Sequence, residues 1–333
     1  MGTSSRSRMI ATLAAVSLVA ACSEGGEAGG GGGYPDRNIT IVVPFSAGGP
    51  TDTVTRMIAE PMAKALGGKI VVKNVEGAGG TVGAGEVAQD KPDGYTVLMH
   101  HIGMSTAPAL YKNLGYQPLE DFATVGLVTE VPMTVVARKD FPPATLTDLT
   151  AYVKANPAKV TLANAGIGAA SHLCGLLFQS ATGVKLQEVP YQGTGPALTD
   201  LVGGQVDFMC DQTTNTSGQI SAGKVKAYAV TTPERVKSLP DVPTTTEAGL
   251  PQLQVSVWHG LYVPAGTPPD VVGKLSTALQ TALADQAVID QMAKLGTAPV
   301  AAADATPDAH RAHLEEQLTA WAKVIADAGV QAS

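Results

Sequence analysis

The sequence predicts an α/β protein of two lobes, each a mainly parallel sheet flanked by helices, with two strands crossing between the lobes. Three observations carry this expectation. Short β-branched runs alternate with helical patterns from Asn38 onward, with Gly and Pro at the joints, which is the βαβ rhythm of a parallel sheet. The same rhythm restarts after Pro132. Two apolar runs, Pro132 to Arg138 and Val255 to Pro264, stand as connections between the two series.

Taken in order, "NITIVVPF" reads as a strand because its β-branched residues run into Pro44, which cannot extend a hydrogen-bonded ladder. A helix from Thr53 to Leu66 follows, then the strand "KIVVKNV", a helix from Gly80 to Gln89, the strand "YTVLMHH" and a helical stretch from Ser105 to Tyr111. The second series runs "MTVVAR", helix Thr147 to Ala155, "KVTLANAG", helix Ser171 to Thr182, "LQEVPY", helix Pro196 to Gly203, "VDFMCD", a short helix and "VKAYAV". After "VSVWHGLYVP" two amphipathic helices, Pro269 to Ala284 and Thr306 to Ala328, close the chain. The expected lobes are therefore 34–133 with 258–333, and 134–257. A cleft between two such lobes is the default small-molecule site, lined by the C-terminal ends of strands.

The first 33 residues read differently. Arg6 and Arg8 precede an apolar run from Met9 to Ala21, which has the size of a signal-peptide core and is too short to span a bilayer as a mature helix. It ends in Val19-Ala20-Ala21-Cys22, which resembles a lipobox. The expectation is a lipoprotein signal peptide over 1–21 and a lipid on Cys22; an ordinary signal peptide cut after Ala21 is the alternative. Residues 22–33 carry "EGGEAGGGGG" and read as a flexible tether. Removing Met1 to Ala21 takes away two positive charges, so the formal net charge passes from −7 to −7 − 2 = −9. Such a surface argues against nucleic acid as a partner. With Cys22 given to lipid, Cys174 and Cys210 remain as a disulfide pair in an oxidising compartment, or as two buried thiols.

Three segments share the form strand, small-residue loop, helix start: Ser46 to Asp52, Glu76 to Glu86 and Asn164 to His172. Each offers unpaired N–H groups and the positive end of a helix dipole to an anion, or is only a tight joint. A nucleotide is not the expected anion. No G-x-x-x-x-G-K-[ST] occurs, and the G-x-G-x-x-A of Gly83, Gly85 and Ala88 lies too far past its strand. No G-x-S-x-G elbow occurs either. His100 and His101 end a strand and either face the cleft or serve the structure. His172 starts a helix. His310 and His313, with Glu315 and Glu316, read as a solvated helix face rather than a metal site. Tyr191, Gln192, Gly193 and Thr194 form a polar turn, and Asp211, Gln212, Thr213 and Thr214 follow a strand; their side chains suit either a ligand or turn and cap chemistry. Trp258 either closes over a ligand or fills the hinge region.

Together the segments "YPDRNITIVVPFSAGGPTDTVTRMIA", "VEGAGGTVGAGEVAQDKPDGYTVLM", "VPYQGTGPALTDLVGGQVDFMCD", "LPDVPTTTEAGLP" and "WHGLYVPAGTPPDVVGKL" resemble the tripartite tricarboxylate transporter substrate-binding proteins, the TctC or Bug family. The resemblance implies a periplasmic-binding-protein type II fold and a receptor, not an enzyme, that closes on a small organic carboxylate and hands it to membrane permease subunits. It implies ligand loops at Phe45, Ser46, Ala47, Gly49 and Thr51, at Gly77, Gly79, Gly80 and Thr81, at Gly168, Ala169, Ala170 and Ser171, and at Tyr191, Gln192 and Gly193. His101, Asp211 and Gln212 stand beside them. Ala169-Ala170 departs from the family, where many relatives carry a hydroxyl residue before the Ser-His pair. No cofactor or metal is expected, and the expected form is a periplasmic, lipid-anchored monomer. A ligand sensor feeding a two-component system is the alternative function, and a hydrolase or lyase using His100 or His172 a more distant one. The lack of Arg or Lys in the four loops leans against a salt-bridged polyanion.

Overall fold

Strand β1, Ile39–Val43, consists entirely of β-branched residues and is almost wholly buried, so the first element is a central strand rather than an edge. The computed structural model describes residues 33–327, 329, 330 and 332. The signal peptide, the lipobox and the tether up to residue 32 lie outside the described residues. Pro44 ends β1, and α1 (Pro50–Leu66) begins with Pro at its first position and ends at Gly67 in the left-handed conformation. β2 (Ile70–Asn74), a single 3-10 turn at Ala78–Gly80, α2 (Thr81–Ala88), β3 (Thr96–His101) and α3 (Gly103–Leu110) follow. β1 pairs in parallel with β2 on one side and β3 on the other, Ile41 lying opposite Val72 and Val97.

β4 (Phe122–Arg138) is the long strand that joins the two series. Beyond it come α4 (Leu146–Ala155), β5 (Thr161–Asn164), α5 (Ala170–Thr182), β6 (Gln187–Pro190) and α6 (Thr194–Val202). β7 (Phe208–Gln212), α7 (Thr213–Ser221) and β8 (Val225–Val230) complete the second series. Here β5 is the parallel centre, with β6 and β7 on its sides. The chain returns through β9 (Ser256–Pro264), then α8 (Pro269–Leu283), α9 (Gln286–Lys294), β10 (Ala298–Pro299) and α10 (Pro307–Asp327).

The strands run β2-β1-β3-β9-β4-β7-β5-β6, with β8 and β10 also on β4. Each series is parallel at its centre, and the two long strands are antiparallel to their neighbours. β4 changes partners along its length. Phe122–Pro132 pairs with β9, while Met133–Arg138 pairs with β7 and β8. The handover falls at Pro132, which has no N–H to give. There Thr231 bonds Met133 backbone to backbone at 2.9 Å, and Val255 N donates to Thr231 O at 3.2 Å. The first part of β4, "FATVGLVTEVP", was not expected as strand. It is buried on both faces, so it shows no alternation to read.

α1 and α8 pack on one another over one face of the β1 series, and α10 packs against α3 and β4. α10 corrects one expectation. His310 is fully buried rather than solvated, its ring tilted against that of Tyr262 with centroids 4.5 Å apart and occupying the space that a side chain at Gly260 would fill. Trp258 likewise packs under α10 against His313, with ring centroids 5.0 Å apart. α9 is a second addition, a short helix capped by Asp285 between the two expected closing helices. No helix among the described residues is long and apolar enough to cross a membrane.

Candidate ligand-binding site

The loop after β1 is held open-ended by one carboxylate. Asp52 is buried in the first turn of α1 and accepts from Gly48 N at 2.9 Å, from Arg56 Nε at 2.8 Å and from Asn74 Nδ2 at 3.0 Å. Asn74 Nδ2 also donates to Phe45 O at 2.9 Å, so the end of β2 fixes the same loop. Burial alone would raise the Asp52 pKa, but the bonds from Arg56, Gly48 and Asn74 outweigh it and hold the group below the usual carboxylate range. With Asp52 so engaged, α1 starts at Gly49 with no side-chain cap.

The loop after β5 is built the same way. Asn164 Oδ1 accepts from Gly166 N at 2.9 Å, Ser171 Oγ from Ala165 N at 2.8 Å, and His172 Nδ1 from Gly168 N at 3.2 Å. His172 faces Glu188 at 3.6 Å on its other nitrogen, which makes it a loop-holding residue. Cys174, one turn after Ser171, and Cys210, next to Asp211, are joined by a disulfide with Cα atoms 5.9 Å apart. That bridge ties α5 to β7 behind the two polar residues.

These loops enclose a cavity of about 20 Å³. One wall is Phe45, Gly49, Pro50, Thr51 and His101; the other is Ala165, Ala169, Ala170, Ser171, Thr194, Asp211 and Gln212. The volume is far below the roughly 300–1,000 Å³ of open ligand clefts, so the walls are closed onto one another. Four helices, α1, α5, α6 and α7, start at this cavity, and none has a side-chain cap at its N-terminus. Of the helices that start elsewhere, α4 on Thr145 and α9 on Asp285 carry such caps, while α2, α3 and α8 do not. The uncapped starts leave first-turn N–H groups for an anion, each end contributing about 0.3–2 kcal/mol. No Lys or Arg lines the cavity.

The remaining chemistry of the walls is polar without being basic. His101 stacks on Phe45 with centroids 4.5 Å apart, and its Nδ1 accepts from Gly103 N at 2.9 Å. Burial, then the neighbouring His100 and His259, hold its pKa well below the ordinary value, so it is neutral at pH 7. His259, which was not among the expected site residues, supports Thr51 at 3.4 Å; β9 is buried on both faces, so no alternation marks this residue in the sequence. Asp211 is fully buried and is pushed up to about 6 by desolvation, against bonds from Asn215, Thr194 and the backbone of Gln212.

Of the expected site residues, Phe45, Gly49, Thr51, His101, Ala169, Ala170, Ser171, Asp211 and Gln212 line the cavity, joined by Pro50, Ala165 and Thr194. The others form its rim or stand outside it. Ser46 N donates to Gln192 O at 3.3 Å across the cleft, and Gly193 lies against Ser46 so closely that a Cβ there would overlap its Oγ. Gly79 meets Ile167 O in the same manner, and Gly80 sits against Phe45 and His100. Thr106 Oγ1 donates to Gly168 O at 3.2 Å. Gly77 precedes the 3-10 turn, Thr81 Oγ1 bonds Ala78 O, and the Tyr191 hydroxyl is taken by Asp200 at 2.7 Å. Ala47 is exposed and faces a wide surface groove between α1 and α9. Among the described residues no cluster of three or more metal-ligating side chains occurs.

A two-series sheet with interlobe cleft, and helix starts converging on it, is the architecture of a periplasmic binding protein. Residues 54–330 match the model of the tripartite tricarboxylate transporter family receptors, and the chain belongs to that family of periplasmic solute-binding proteins. It is 54% identical over 296 residues to a protein encoded in the TAR-I ttuE-ttuC' intergenic region of Agrobacterium vitis, covering 89% of this chain and 86% of the relative. Among solved structures it resembles the periplasmic binding protein BugD, with a TM-score of 0.88 and 52% identity, covering 90% of this chain and 100% of that one. It also resembles MatC from Rhodopseudomonas palustris with bound malate, with a TM-score of 0.86 and 43% identity, covering 88% and 100%.

Proposed function

We propose that this chain is a receptor that captures a small organic carboxylate between its two halves and delivers it to the membrane permease subunits of a tripartite tricarboxylate-type transporter. The observation that carries the reading is the convergence of four uncapped helix starts on one cavity without a Lys or Arg. Such a site neutralises a carboxylate through backbone N–H groups and gives it up again, because no buried ion pair must be broken. The malate bound by the relative MatC is an acid of this kind.

In this reading the halves act as lobes, 34–133 with 258–333 and 134–257, that separate by bending where β4 changes partners and where Val255 leads into β9. The protein works as a monomer, and Cys22 carries the lipid that keeps it at the periplasmic face of a membrane. Binding rather than catalysis is favoured by the state of the reactive atoms in the walls. Ser171 Oγ and His101 Nδ1 each accept a bond from their own loop.

The test is a panel of mono-, di- and tricarboxylates added to the purified protein, with melting temperature and product mass read in parallel. Stabilisation by at least one acid without turnover supports the reading. Conversion of an acid at catalytic rates, or no stabilisation by any of them, contradicts it. Loss of uptake of the same acid from cells lacking this chain tests delivery to a permease.

A further inference from the structure

The cavity offers more than donors. A carboxylate brings only hydrogen-bond acceptors, and the helix starts answer those. Asp211 answers nothing of the kind. It is 1% exposed and lines the cavity; Oδ2 accepts from Asn215 Nδ2 at 2.5 Å, and the Thr194 hydroxyl and Gln212 N–H lie near enough to favour the charged form, while Oδ1 has no partner at hydrogen-bond geometry among the described residues. The neighbouring Gln212, 3% exposed, also has its Oε1 unpaired, although an amide can turn to present either end. An ionised carboxylate cannot turn into a donor. No cationic side chain lines the cavity to meet it.

Resting on the carboxylate reading above, we infer that the ligand is an acid that also carries a hydrogen-bond donor, a hydroxyl or an ammonium group, seated against Asp211. A plain dicarboxylate would set its own oxygen lone pairs against Oδ1 or leave that atom unsatisfied. A hydroxyl or ammonium group supplies the missing donor, and its distance from the carboxylate held on the helix starts sets which acids fit. Burial, which raises the Asp211 pKa to about 6, still leaves the group mainly ionised at pH 7.5, as an acceptor must be. Selectivity of this sort is strong because the wrong ligand leaves a buried polar atom unpaired.

The experiment is calorimetric titration at pH 7.5 with matched four-, five- and six-carbon dicarboxylates, each as the plain, the 2-hydroxy and the 2-amino acid, on the wild type and on Asp211→Asn. In the chain length that binds best, a donor-bearing acid is expected to bind about tenfold or more tighter than its plain counterpart. Asp211→Asn is expected to reduce that margin to about threefold or less. If the plain acid binds the wild type as tightly as both donor-bearing forms, the donor inference fails and the carboxylate receptor stands; a water then satisfies Asp211. If no acid of any length binds, this inference fails; if no member of the mono-, di- and tricarboxylate panel binds either, the carboxylate reading fails with it. The wild-type titrations decide the matter even if the variant does not fold.

Discussion

The hydroxyl of Tyr111, at the C-terminal end of α3, lies 2.8 Å from the carbonyl oxygen of Ile167 in the β5–α5 loop. The same hydroxyl also lies within donating distance, 2.8 Å, of Ala78 O in the β2–α2 loop. One proton is thus shared between a carbonyl from each half of the sheet, and Tyr111 joins Thr106, which donates to Gly168 O, in latching the rim of the cavity. Tyr111→Phe keeps the ring and removes the proton. The expected outcome is an unliganded melting temperature close to that of the wild type, and a carboxylate dissociation rate raised about three- to tenfold, equivalent to a hydrogen bond of about 0.5–1.5 kcal/mol. Stopped-flow fluorescence of ligand release checks it; an unchanged rate removes Tyr111 from closure.

Asp52 acts within one half only. Its replacement by Ala leaves Gly48 N, Asn74 and Arg56 without their common acceptor. The expected loss is about 1–3 kcal/mol of stability in urea unfolding at pH 7. Because its folded pKa is lowered, the stability it confers is present above the unfolded value of about 4 and is lost as pH falls through the folded one. The stability gap between wild type and Asp52→Ala should therefore shrink in acid, and a gap that widens there would contradict this assignment.

Asp211 has the opposite sign. Its folded pKa is raised to about 6, so its contribution to stability is full below the unfolded value and is lost as pH rises through about 6. Relative to wild type, Asp211→Asn is therefore expected to gain stability as pH goes from 4 to 7 in the absence of ligand. Paired unfolding curves over this range check the sign. A constant difference would mean that Asp211 does not titrate there.

The disulfide gives a separate handle. Cys174 and Cys210 are 36 residues apart in sequence, and chain-entropy arguments assign a loop of that length on the order of 3–4 kcal/mol. Reduction under native conditions is expected to lower the melting temperature by several degrees. It should also weaken carboxylate binding, since the bridge braces Ser171 and Asp211 from behind. Intact-mass analysis after alkylation without reductant checks the pairing, and modification of both residues would contradict it.

Much of this arrangement was legible in the sequence, for identifiable reasons. β1 and its loop announce themselves because five β-branched residues run into Pro44 and two glycines, and the "NAGIGAASH" joint repeats the form. What local pattern cannot convey is aim. Tyr111 stands at the end of a helix with nothing nearby to mark it as a latch, and Gly79 and Gly193 matter only through the carbonyl and hydroxyl they meet across the cleft. The same limit applies to His310, whose polar sequence neighbours suggest a wet face while Gly260, fifty positions earlier, provides the hole it fills. The N-terminal half of β4 was hidden for the opposite reason, since burial on both faces erases periodicity.

Gly193 provides the most direct test of capture by closure. Its φ of 170° is extended backbone that alanine adopts without strain, so Gly193→Ala adds one methyl group where Ser46 already sits and disturbs little else. That methyl has room only when the two rims are apart. With the acid that most stabilises the wild type as probe, titration calorimetry of Gly193→Ala is expected to show affinity reduced about tenfold or more, while the unliganded melting temperature stays within about 2 °C of wild type. Undiminished affinity would contradict a mechanism in which Ser46 and Gly193 come together around the ligand.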